Sequence, residues 1–275
     1  MTDRLFEKAF ANLLVSANEL PKLLLDLDPT YPGPVRSDDF PAVTLGWLRS
    51  AAVLQFQGVL AVLMHPQCAG EAEILLRPLL DALGHVIFIH EGIPDGTHRT
   101  PGTRALCLEF GIARQRDTEI AERFLAIDDE DRVALVSDAR ARLEQVRVRH
   151  QDTGCTCLGR SFSAVRETLR HLGLTDRSYA MLHDQWIWSS GAAHSYFPSR
   201  LYRAGPDGFT VVGSEVRPGF RAMVLKHAID VLADLGERIL HVNGTREDQR
   251  NRLTYWVANF VETPPLRNAL RGEFE

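Results

Sequence analysis

One segment of the chain is apolar on nearly every side and therefore requires other elements around it. Residues 70–92, GEAEILLRPLLDALGHVIFIHEG, place apolar side chains all round a helix. A helix of this kind is normally buried, so the segment predicts the central helix of a bundle. Pro78 lies inside it, lacks an N–H donor and crowds the carbonyl of Ile74, which predicts a kink or a fresh helix start.

Most of the remaining chain also has the helical period. Residues 3–27 repeat apolar side chains near every 3.6 positions and predict one helix. Residues 42–64 predict a long apolar helix, and the turn residues Pro206, Asp207 and Gly208 predict a β-hairpin. Further helices are predicted at 102–126, 128–150, 163–173, 176–197, 217–241 and 246–261.

These elements predict an all-α fold, a multi-helix bundle with a small late β-hairpin. We expect a single helical domain over residues 1–275. Its parts would be a core bundle at about 36–200, the hairpin at about 201–213, and C-terminal helices at 217–272.

Composition narrows the classes of function. The net charge of −5 disfavours a protein whose main task is to hold a nucleic-acid backbone. The four cysteines form no C-x-x-C pair, so a zinc ribbon is not expected. The N-terminus lacks the apolar core of a signal peptide. Arg49, Gln55 and Gln57 interrupt the run at 42–64, which favours a buried helix over a membrane span. We therefore expect a cytoplasmic protein without a membrane span.

A polar stripe crosses the predicted central helix. Glu73, Arg77, Asp81 and His85 step by four residues and therefore share one helix face. Buried charges must find partners, because an unpaired one costs several kcal/mol. The stripe is either an internal ladder of ion pairs that ties helices together or the wall of a polar pocket.

A second unusual stretch is HDQWIWSSGAAHSYFP, residues 183–198. Ser190 and His194 fall on one face of its predicted helix, and Trp186 lies on the neighbouring face. The small residues at 191–193 favour close approach of another helix. A histidine here is either a core side chain with its hydrogen bonds satisfied or a functional group. His194 is the stronger functional candidate, because it is near the helix end beside small residues.

The two segments together resemble a known group of proteins. EAEILLRPLLDA, followed later by YAMLHDQWIWSSGAAHS, resembles bacterial all-helical proteins with an Arg-containing helix and a Ser-x-x-x-His helix. That group is similar to the HEPN proteins (higher eukaryotes and prokaryotes nucleotide-binding), and the resemblance covers roughly residues 40–200. It implies a helical fold and an RNA- or nucleotide-acting protein. HEPN ribonucleases carry their catalytic Arg and His close together on one helix. No Arg precedes His194 at that distance here, so Arg77 would have to replace it.

The first functional hypothesis is a pocket in which Arg77 and His194 are catalytic and face each other across the bundle. Arg77 would hold an anionic group, and His194 would act as acid or base near neutral pH. With RNA as substrate, the reaction would be a metal-independent attack by the 2′-hydroxyl group. The residues expected to bind the substrate are Glu73, Asp81, Trp186 and Ser190.

Two further hypotheses stay open. One is a non-catalytic helical module that binds a partner or ligand, with the polar groups fixing the fold. The other is a small-molecule enzyme that binds a metal or haem through His85, His183 or His194. The sequence identifies no cofactor, and it is compatible with a homodimer.

Overall fold

The computed structural model is built almost entirely from helices, and the all-α fold is confirmed. It describes residues 2–28, 40–65, 72–92, 100–113, 161–193, 202–205, 208–211 and 218–273, together with 133–134, 136–138, 140–141, 144–145 and 148. The helices are α1 (Thr2–Ala17), α2 (Glu19–Leu27), α3 (Phe40–Leu63), α4 (Ala72–Glu91), α5 (Pro101–Ala113), α6 (Ser161–Leu172), α7 (Arg177–Ala193), α8 (Pro218–Val242), α9 (Glu247–Val261) and α10 (Pro264–Leu270). The described residues between 133 and 148 are helical as well.

Two short strands lie between α7 and α8. β1 (Tyr202–Gly205) pairs antiparallel with β2 (Gly208–Val211), and Gly205 is opposite Gly208. Pro206 and Asp207 lie outside the described residues.

The first helical segment is interrupted, and here the prediction of one helix over 3–27 was wrong. α1 ends at Ala17 and α2 begins at Glu19, with Asn18 between them. The cause lies in Pro21, which has no N–H to donate and whose ring crowds the carbonyl of Ala17 four residues earlier. A helix cannot pass this point undisturbed, so the chain starts a second one.

α4, in contrast, continues through its internal proline, Pro78. It runs as one helix from Ala72 to Glu91 with Pro78 inside, so a fresh start at Pro78 was the wrong alternative. Pro78 and Ile74 are both exposed. Water can therefore bond the Ile74 carbonyl that loses its amide partner, which lowers the cost of the proline.

The chain divides into two compact units. Unit 1 comprises Met1–Pro34, Arg49–Leu83 and Asp184–Glu275, and unit 2 comprises Val35–Leu48 and Gly84–His183. The single helical domain that the sequence predicts over residues 1–275 remains a prediction.

Unit 1 is organised around α8. This helix contacts α2, α9 and α10, while α1 contacts α2 and α10. Gly236 of α8 permits the approach of α2, because a Cβ there would lie 2.7 Å from Leu24 Cδ1. The α8 side chains with no exposed surface are Ala222, Leu225, Ala228, Ile229, Leu232, Leu235, Ile239 and Leu240.

Unit 2 contains α5 packed against α6. Within the same unit, Gly84 of α4 lies against Val165 of α6 so closely that a Cβ at position 84 would be 2.4 Å from Val165 Cγ1. The missing side chain of Gly84 is thus a requirement of the packing.

α3 is the most apolar long helix of the described residues. Its residues Ala42–Leu63 are long and apolar enough to cross a membrane by length and composition, which is weak evidence since core helices pass the same test. Only 39% of the most apolar window is buried. The predicted buried helix is therefore buried on one side and exposed on another.

Candidate functional site

Within unit 1, a polar cluster joins α4 to α7. Arg77 and Asp81 are one helical turn apart on α4, and Arg77 Nε donates to both carboxylate oxygens of Asp81 at 3.1 Å. The same carboxylate reaches α7, because Asp81 Oδ1 accepts a hydrogen bond from the indole Nε1–H of Trp186 at 2.8 Å. One carboxylate therefore satisfies a donor on each helix.

Arg77 also contacts Trp186 directly. Its Nη1 donates to the main-chain oxygen of Trp186 at 3.0 Å. Its guanidinium carbon lies 3.9 Å from the centroid of the indole ring, in the position of a cation–π contact. The hydroxyl of Ser189 donates to the same Trp186 oxygen at 3.0 Å. We call Arg77, Asp81, Trp186 and Ser189 the Arg77 cluster.

The two charged side chains of the cluster differ in their exposure to solvent. The Arg77 side chain is 9% exposed and that of Asp81 is 33% exposed, while Trp186 and Ser189 are buried. The cation is thus enclosed and the carboxylate faces the solvent. The carboxylate is therefore the more accessible of the two charges.

Each residue type suits its place in the cluster. Trp186 buries a large apolar ring and needs an acceptor for its one N–H group, which Asp81 supplies. The rigid fork of an arginine can reach a carboxylate, a carbonyl and an aromatic face at once, which lysine cannot do. Ser189 bonds back to the carbonyl three residues earlier in its own helix, a habit of serine inside helices.

The structure brings together three of the six predicted site residues, Arg77, Asp81 and Trp186. Glu73 is on α4 and Ser190 on α7, but their side chains lie outside the described residues. His194 lies entirely outside them, so its position opposite Arg77 stays a prediction. Sequence reasoning chose Ser190 and missed its neighbour Ser189.

Three histidines were considered as ligands of a metal or haem. His85 and His183 belong to unit 2 and are half-buried, and His194 lies outside the described residues. Among the residues that the structure describes, no three His, Cys, Asp or Glu side chains group closely enough to hold a metal ion.

Unit 2 has a polar cluster of its own, which sequence reasoning did not select. Arg104 donates from Nε to the Ile89 carbonyl at 2.6 Å and from Nη2 to the His90 carbonyl at 2.8 Å. Burial lowers the pKa of Arg104, while the charge of Glu91 acts to raise it. Glu91 Oε1 accepts a hydrogen bond from the Tyr179 hydroxyl at 3.2 Å and lies 3.0 Å from His90 Nδ1.

This second cluster closes the carboxyl end of α4. The last carbonyls of a helix have no partner within the helix, and a cation there also offsets the negative end of the helix dipole. Gly92 follows α4 with φ 78°, the left-handed conformation typical of a helix end. The sequence did contain a signal for the end of α4, because Gly92 follows Glu91 and glycine commonly occurs just after a helix end. Nothing in the pattern indicated that Arg104 would supply the donors.

Comparison with known proteins does not extend these observations. The chain matches no protein-family model, no curated protein and no solved structure. The HEPN resemblance therefore stays a prediction from the sequence.

Proposed function

We propose that this protein is a non-catalytic helical module that binds a partner. In this proposal the Arg77 cluster stabilises the packing of α4 against α7 within unit 1. The observation that carries the proposal is the engagement of Arg77. It donates to Asp81 and to the Trp186 carbonyl, stacks on the indole ring and is 9% exposed in its side chain. These contacts hold the unit 1 parts of α4 and α7 together.

A phosphate-binding role for Arg77 has a high cost in this geometry. An arginine that recognises phosphate presents its planar fork to the ligand. To do so, Arg77 would have to leave Asp81, the Trp186 carbonyl and the indole face. Giving up these contacts costs free energy, although less than in a fully buried pair because the Asp81 side chain is 33% exposed. The exposed carboxylate of Asp81 would in addition repel the phosphate.

Because Arg77 is engaged within the fold, the proposal gives it no part in a catalytic pair with His194. The proposal retains the cytoplasmic, membrane-free setting that the sequence predicts. The net charge of −5 agrees with a partner other than a nucleic-acid backbone.

The test is an RNA cleavage assay on single-stranded and stem-loop RNA without added metal. We expect the wild type and the His194→Ala variant to leave both RNAs intact. Cleavage by the wild type that disappears in His194→Ala, with unchanged circular dichroism and melting temperature, would contradict the proposal and favour a HEPN-like nuclease.

An absorption spectrum and metal analysis of the purified protein test the other enzymatic hypothesis. The proposal predicts no haem band and no stoichiometric metal. A haem band or bound metal that is lost on His85→Ala, His183→Ala or His194→Ala would support a small-molecule enzyme.

A further inference from the structure

We draw no further inference here: the strongest candidate, the exposed apolar surface of α3 around Leu54 and Met64 in unit 1, carries none because nothing in the part of the chain that the structure describes shows what covers it.

Discussion

Arg77 belongs to a set of arginines whose charges are directed into the protein. Arg49 pairs with Asp28, and Arg221 pairs with Glu7 while its Nη2 donates to the Leu63 carbonyl at 2.8 Å. Arg104 bonds the last carbonyls of α4, as described above. Leu63 is likewise the last residue of α3. Arg104 and Arg221 thus donate hydrogen bonds to carbonyls near helix ends, which have no partner within the helix. These arginines therefore stabilise the fold.

Substituting Arg77 with methionine should reveal its structural contribution. Arg77→Met keeps an unbranched apolar side chain but removes the donors to Asp81 and Trp186. We expect the free energy of unfolding to fall by about 2 kcal/mol, below the usual cost of breaking a buried pair because Asp81 is partly solvated. Urea denaturation followed by circular dichroism measures it.

The control for that substitution is a surface pair. Arg246 and Asp248 are paired, with side chains 75% and 63% exposed. Arg246→Met should leave the urea midpoint unchanged. Equal midpoints for Arg77→Met and the wild type would show that the Arg77 cluster does not fasten the fold.

Sequence reasoning selected three of the four residues of the cluster, Arg77, Asp81 and Trp186, without the bonds between them. Arg77 and Asp81 could be paired in advance, because a step of four residues makes them neighbours on any helix. The contact with Trp186 could not, since it depends on how two helices distant in the chain pack. The Trp186 carbonyl was also unpredictable as an acceptor, because every residue has a carbonyl. The choice of Ser190 over Ser189 depended on a rotation of α7 that the pattern did not fix.

At the scale of elements, long periodic segments were predicted well and their interruptions were not. α3 and α8 lie close to their predicted ranges. The break before α2 followed from Pro21, whereas α4 continues through Pro78, so a proline alone does not decide a helix boundary. The short α10 carries Pro264 and Pro265 at its start, a known helix-start signal that was not used. At Pro78 the outcome depended on solvent exposure of that helix face, which the sequence alone does not give.

Two helical glycines give opposite predictions for the same substitution. At Gly84, a Cβ would lie 2.4 Å from Val165 Cγ1 and 3.2 Å from Val165 Cβ. Gly84→Ala should therefore lower the free energy of unfolding by about 1–3 kcal/mol, the usual cost of overpacking. At Gly58 the nearest atom to a Cβ is Leu75 Cδ1 at 3.7 Å, an ordinary contact.

Gly58→Ala should consequently stabilise the protein by about 0.5–1 kcal/mol through its better helix propensity. Thermal or urea unfolding of the two variants beside the wild type measures both effects. If Gly84→Ala proved as stabilising as Gly58→Ala, the close approach of α4 and α6 in unit 2 would be wrong.

At the scale of the whole molecule, the features agree with binding more than with catalysis. The buried arginines are engaged within the fold, the partly exposed group of the Arg77 cluster is a carboxylate, and the net charge is −5. α3 also carries large apolar side chains that are at least half exposed, Trp47 and Leu54. These features support the proposed binding module.

The central claim is that Arg77 and Trp186 are fastened to each other and unavailable to a phosphate ligand. Nuclear magnetic resonance of the indole N–H groups tests it directly, because the chain has only four tryptophans and Trp186→Phe assigns the signal. We predict that the Trp186 N–H exchanges slowly with solvent, shifts in Arg77→Lys, and does not move on addition of adenosine triphosphate or an RNA oligonucleotide. A saturable shift of that signal with either ligand would contradict the claim.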